Sequence, residues 1–287
     1  MKGRTTHHRD DERRPTAAPR RIRSALVLTA TAALALTTAG DAAAQEGTFR
    51  WSDAMRQGRT LTVEGIAGEV RATLAEGSKA EVVATKRGDR DDFDRVEILV
   101  FEDDGDVEVC AVYDARRTPE SCDHDHHDDR WDDEDDDLDV SVDFEVRVPA
   151  GVRFDGSTVA GDVEATGLRS DVTGSTVSGD VRLSTTGSAW GSTVSGDLDL
   201  EMGRLDPRRT DFSTVSGDIT LRLPASFDAE IRFESVSGDF RSDFDGRFDR
   251  DEGKWVGTEV WGTIGSGGQR IRLETVSGNA YLRRRAS

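Results

Sequence analysis

Histidine, lysine and cysteine are all scarce in this chain, and each scarcity removes a class of chemistry. Of the five histidines, His7 and His8 lie in the first 44 residues, while His124, His126 and His127 crowd into one acidic run. Imidazole-dependent catalysis would have to work from that run, a poor home for a preorganised site. Past residue 44 the only lysines are Lys79, Lys86 and Lys254, so the repeated serines described below have neither His nor Lys in register as a general base. Aromatics make up 6% of the chain, leaving cohesion to aliphatic side chains. Apolar spacing of 3.6 is not sustained anywhere after residue 44, which excludes a helical fold. The C-terminal residues Tyr281 to Ser287 resemble neither a membrane span nor a wall-sorting signal.

The first 44 residues read as an export signal: basic Arg20, Arg21 and Arg23, an apolar stretch from Ala25 to about Ala39, then Ala42-Ala43-Ala44 as a cleavage site. Arg20-Arg21 raises a twin-arginine route, but Arg23 and Ser24 follow where apolar residues are preferred, so the general secretory route is expected. An uncleaved anchor would need roughly 20 apolar residues, more than this stretch supplies. No Cys follows the small residues, which argues against a lipoprotein. The 287-residue chain carries a formal charge of −19, and without residues 1–44 it keeps 30 basic and 53 acidic side chains, or −23. Nucleic acid and anionic lipid are therefore poor partners, no nucleic acid is expected to bind, and no stable membrane insertion is expected after cleavage. The product is expected in the periplasm, at the cell surface or secreted.

What the chain has in abundance is one phrase written seven times, Val-Ser-Gly-Asp-Val in its cleanest copies. The copies begin at Ile66, Val159, Val177, Val194, Val215, Val236 and Val276, and from Gly161 their glycines lie 18, 17, 21, 21 and 40 residues apart. Units of this period cannot bury an apolar face alone and must stack. Alternation along a strand puts Val177, Gly179, Val181 and Leu183 on one face, expected to be inside, and Ser178, Asp180 and Arg182 on the other. Glycine weakens a strand interior, so its recurrence marks a bend or a positive φ and places a corner at each Ser-Gly-Asp. Stacking at ~4.8 Å then lines up Asp162, Asp180, Asp197, Asp218 and Asp239, a like-charge row that is tolerable if each carboxylate is solvated or bonds a backbone N–H. A cation-binding row is the sharper alternative. The Gly-Gly-x-Gly-x-Asp nonapeptide of calcium-binding β-rolls, however, does not occur.

The expected fold is all-β: a single-domain β-solenoid, a β-helix-like stack of coils of ~20 residues, over 59–287. A lead segment at 45–58 precedes it. Strand-like runs at Thr60–Ala72, Ala80–Lys86, Arg95–Phe101, Asp106–Tyr113 and Asp139–Val148 are expected to open the same stack. An excursion at 241–262 carries Phe244, Phe248, Trp255 and Trp261, and a capping role is favoured over a ligand platform, because solenoids need covered ends.

Residues 122–139 hold the three remaining histidines and eleven carboxylates. His124, His126 and His127 with Asp123, Asp125 and Asp128 are weak candidate ligands for Zn²⁺, Ni²⁺ or Cu²⁺, and the acidic run for Ca²⁺; the bland alternative is a solvated charge run. No other cofactor is expected. Cys110 and Cys122, the only cysteines, flank the start of this insertion, and in an exported chain they read as a disulfide worth ~2–3 kcal/mol. Paired carboxylates occur in the Asp row, yet no copy is set apart by an unusual neighbour, so no enzyme is expected.

With these residues in view, the chain resembles the bacterial adhesin, or toast-rack, family of exported β-repeat domains of unknown function. The resemblance runs from about Thr60 to Leu282. It is carried by Thr62 to Val70, by Phe144 to Val152, by the Ser-Thr-Val-Ser-Gly-Asp copies and by Gly265 to Gly278. It implies a β-solenoid scaffold at the envelope and brings no catalytic residues. The acidic, His-bearing insertion departs from it. The function expected is a non-enzymatic envelope or surface protein presenting a repetitive Ser/Thr/Asp face to an envelope protein or glycan. The alternative is a structural or sensory scaffold that self-associates end to end; a carbohydrate-active enzyme is more distant.

Overall fold

The computed structural model describes residues 47–113, 122, 138–251 and 257–285, together with the backbone of residues 20 and 21. In chain order the strands are β1 (Arg20–Arg21), β2 (Thr48–Ala54), β3 (Thr60–Glu64), β4 (Val70–Leu74), β5 (Lys79–Gly88), β6 (Val96–Asp103), β7 (Asp106–Tyr113), β8 (Val140–Val148), β9 (Arg153–Ala160), β10 (Val163–Leu168), β11 (Val172–Ser178), β12 (Val181–Thr185), β13 (Ala189–Ser192), β14 (Leu198–Glu201), β15 (Asp211–Ser213), β16 (Ile219–Leu223), β17 (Ala229–Ser237), β18 (Phe240–Ser242), β19 (Gly246–Asp251), β20 (Thr258–Ile264), β21 (Gln269–Ser277) and β22 (Ala280–Arg284). One 3₁₀ helix, Arg90–Arg95, is the only helical element among the described residues. The fold is all-β and solenoid-like.

Two sheets face each other. One runs β1-β6-β7-β3-β9-β11-β13-β15-β21-β17-β20-β19, the other β18-β22-β16-β14-β12-β10-β4-β8-β5-β2. Each rung of the stack sends one strand to the first sheet, turns a corner, and sends the next strand to the second. The rungs lie in the order β7/β8, β3/β4, β9/β10, β11/β12, β13/β14, β15/β16, β21/β22, β17/β18. At both ends the chain-terminal rung is therefore tucked one place inward, and the gap of 40 residues before the last glycine reflects this exchange. Register keeps like on like: Val70, Val163, Val181, Leu198, Ile219 and Ala280 form one column, and Ala72, Ala165, Leu183, Leu200, Leu221 and Leu282 the next. One continuous apolar core joins the two sheets. On the other sheet the inward column Gly156, Gly174 and Gly191 stays small, because a Cβ at Gly174 would meet Leu183 and Val181 across the narrowing cross-section.

Antiparallel strands close the ends. β5 and β2 follow β8, and β6 follows β7; the lead segment thus contributes a strand of its own. At the other end β20 and β19 pair antiparallel beyond β17. There Phe240 packs against Phe233 and Phe248, with ring centroids 5.9 and 5.2 Å apart, and Phe244 is buried against Phe227. β19 and β20 of the excursion lie at this end of the stack; Trp255 lies outside the described residues.

One expectation is overturned. Val177 does not share the inner face with Val181 and Leu183: it is 48% exposed, and Thr176, expected outside, is buried at 6%. The same holds at every clean copy. The corner shifts parity, because Thr176 and Val181 both point inward although five residues separate them. Gly179 itself is not on an inward row; a side chain there would point along the stack, at the rung below.

Candidate functional site

The corner phrase was the leading sequence candidate for function, and most of it holds the stack together. Thr193 donates its hydroxyl to the Gly179 carbonyl of the preceding rung at 2.9 Å. Thr158, Thr176, Thr214 and Thr275 do the same to Gly68, Gly161, Gly196 and Gly217 at 3.2, 2.9, 3.1 and 3.3 Å. These carbonyls turn out of the ladder at the corner, and a buried acceptor without a donor costs about 1–3 kcal/mol. Thr193→Val, which keeps shape and removes the donor, is therefore expected to lower stability by about 1–2 kcal/mol in urea unfolding with an unchanged m-value.

The aspartates form a second latch. Asp162 Oδ1 accepts the N–H of Asp180, Asp180 that of Asp197, and Asp197 that of Asp218, at 2.8, 2.8 and 2.7 Å. Asp143 fills the same place for Glu69, although its rung lacks the phrase. The row continues through Asn279 before Asp239. Asn279 donates from its backbone and from Nδ2 to Asp218, and its Oδ1 accepts the N–H of Asp239. An amide suits that step because it donates and accepts at once and removes one charge. Arg182 bridges Asp162 and Asp180, and Arg87 pairs with Asp143. The carboxylates are thus occupied by backbone amides and guanidinium groups. Among the described residues no group of three or more His, Cys, Asp or Glu is placed to hold a metal ion.

What the phrase leaves to solvent differs from the expected Ser/Thr/Asp face. Threonine is buried and aspartate is engaged, so the presented residues are valine and serine. Val159, Val177, Val194, Val215, Val276 and Val236 are 44–53% exposed, and bridges Ser178↔Ser195↔Ser216↔Ser277 keep the corners in register. Spacing did not reveal this, because Val177 and Val181 are an even four residues apart and simple alternation puts both inside; only the burial of Thr176 shows the shift at the corner.

Cys110 and Cys122 are joined, and both are buried with Phe101 on the outside of β7. The disulfide draws the start of the insertion onto the outer face of the first sheet. The candidate ligands Asp123, His124, Asp125, His126, His127 and Asp128 lie outside the described residues.

Two further clusters sit on the outer face of the first sheet. In one, the Arg209 guanidinium lies 5.3 Å from the Trp190 ring centre and donates to Thr173 at 2.6 Å, while Trp190 Nε1 donates to the Asp211 carbonyl. Asp155, beside Thr173 in register, has its carboxyl pKa raised by burial, with Arg209 opposing. A raised carboxyl pKa means that burial penalises the ionised form at neutral pH, a penalty that fades as pH falls through the folded-state pKa. Asp155→Asn is expected to raise stability modestly, by about 1 kcal/mol or less, at pH 7 and to lose that advantage near pH 3, as thermal melts across pH would show.

The other cluster is an open groove of about 980 Å³ beside β17, β19 and β20, with Trp261, 44% exposed, among Arg232, Arg247, Asp245 and Asp249. Arg232 is held by Glu234 and Glu259 at 2.5 and 3.0 Å. None of these clusters sets a nucleophile beside a base.

The architecture defines a class: a two-faced parallel β-stack closed at both ends by antiparallel strands. The Toastrack family model, DUF4097, matches residues 135–283, and the chain belongs to that family. A search of the curated proteins finds no match. Among solved structures the chain is similar to a "putative cell adhesion protein" from Clostridium sporogenes, with 11% identity, 83% of this chain and 100% of that one covered, and a TM-score of 0.37. It is also similar to a "putative adhesin" from Bacteroides fragilis, with 12% identity, 83% and 98% covered, and a TM-score of 0.35. A "putative lipid binding protein" from Parabacteroides distasonis matches with 11% identity, 84% and 98% covered, and a TM-score of 0.23.

Proposed function

We propose that this protein is a non-enzymatic scaffold of the cell envelope or surface whose stacked corner edge meets a protein or glycan partner. The supporting observation is the division of labour within the phrase. Thr, Gly and Asp serve the stack in each clean copy, while Val and Ser are left outside in all of them. A catalytic residue would differ in role from its equivalents in neighbouring rungs; here Asp162, Asp180 and Asp197 repeat one latch, and Asn279, which departs from them in type, makes the same latch. An export signal at residues 1–44 and the acidic charge fit a place outside the cytoplasm, and no helix among the described residues is long and apolar enough to cross a membrane. Weak divalent-cation binding by the acidic insertion remains part of this proposal. Fluorescently labelled protein added to cells and to a glycan array is expected to bind saturably and to be displaced by unlabelled protein. Failure to bind either, or turnover of a polysaccharide, would overturn the reading.

A further inference from the structure

The exposed valines are the one part of the corner that folding does not explain. Any residue could occupy an outward position before the turn, yet an apolar one stands there in six stacked rungs, Val159, Val177, Val194, Val215, Val276 and Val236. At ~4.8 Å per rung they make a ridge about 24 Å long. Its borders carry no charge over the central rungs. Ser178, Ser195 and Ser216 lie on one side and Ser175, Ser192 and Ser213 on the other, in a chain of which 33% is charged. Glu274 and Glu234 border only its last two rungs.

We propose that the ridge is an isologous dimerisation surface and that its occupant is a second copy of this chain. Three arguments select that occupant. First, an extended peptide presents one face every ~6.7 Å and drifts out of step with a ridge of ~4.8 Å period, whereas another stacked β edge keeps step along its length. Second, the chain carries −19, so two copies repel over most of their surfaces and can approach most closely along an uncharged strip. Third, a two-fold axis between Val194 and Val215 pairs the ridge with itself, as closed symmetry requires. Six half-exposed valines offer on the order of 400 Å² per copy, and with the serine borders the contact has the size of a weak, reversible interface, for which a dimer in the micromolar range is expected. Both stack ends are occupied by antiparallel or three-residue strands, which turns association from the ends to the flank.

Sedimentation velocity of the purified protein from about 1 to 200 µM, a range spanning that affinity, tests this. The protein is expected to shift from monomer to dimer across that range. Val194→Lys with Val215→Lys should weaken dimerisation at least about 100-fold, and Val194→Ser with Val215→Ser about tenfold, both with unchanged melting temperature because the side chains are exposed. If the lysine pair fails to fold, the serine pair carries the test. A wild-type protein that stays monomeric, or valine variants that dimerise as wild type does, would overturn the inference. A monomer that still binds cells through these valines would also overturn it, while leaving the proposed function standing.

Discussion

Gly196→Ala is expected to abolish folding. Gly196 sits at φ +152° in the middle of the stack, and a Cβ built there falls far inside contact distance of the Gly179 carbonyl oxygen. That oxygen cannot retreat. Thr193 holds it by a hydrogen bond, and Gly179 itself rests against the Gly161 carbonyl in the same way. Relief would require spreading two rungs, which breaks the Asp180–Asp197 latch and the bond from the Gly179 amide to the Ser195 carbonyl. The combined loss reaches about 5 kcal/mol or more, comparable to the whole stability of a domain. Gly167→Ala is the control. It also has positive φ, +66°, but its Cβ would meet nothing within 4 Å, so only the left-handed strain of about 1–2 kcal/mol is expected. Circular dichroism and urea unfolding of both variants should show one unfolded protein and one mildly destabilised one.

Phe212→Ala is expected to cost about 3–5 kcal/mol and to split unfolding into two transitions. Phe212 is fully buried on β15, a strand of three residues joined to β13 by the single pair Ser192↔Ser213 and to β21 by three pairs. This rung has the least backbone pairing in its sheet, and Phe212, in register with Leu273, supplies much of its cohesion. In stacked proteins stability is nearly a sum of rung and neighbour contributions, so weakening one rung can uncouple the rungs on either side. Fluorescence should follow the change because Trp190 and Trp261 lie on opposite sides of β15 along the sheet. Phe154→Ala removes an equally buried ring, but β9 is paired over five residues with β3 and six with β11; a single transition is expected there.

How much of this was legible in the sequence follows from which interactions are local. The corner, the aspartate row and the disulfide could be read because each depends on a short phrase or on two residues 12 apart. Asp106–Tyr113 was read to the residue, since alternation and flanking turns bound it. Thr60–Ala72 was read as one run although a corner at Gly68 divides it into β3 and β4; the same parity shift that hides that corner put Val177 inside and Thr176 outside. The exchange of rungs at both ends was not legible. Nothing within β21 or β17 distinguishes which of two similar strands lies beside β15, and the choice rests on what the antiparallel caps cover. The groove beside Trp261 escaped for a related reason: it forms only where β17, β19 and β20 come side by side.

The central claim is that the corner phrase is a latch between rungs, in which the valine and serine side chains take no part and stay open to a partner. Hydrogen exchange at the corner amides tests it most directly. Asp180, Asp197, Asp218 and Asn279 lie at exposed or half-exposed turns, where unbonded amides exchange rapidly, yet each amide donates to the carboxylate of the neighbouring rung. The account predicts protection at all four comparable to that of Val181, Leu198 and Ile219 in the adjoining strands. Exchange at those four amides as fast as in an open turn, while the strands stay protected, would contradict it.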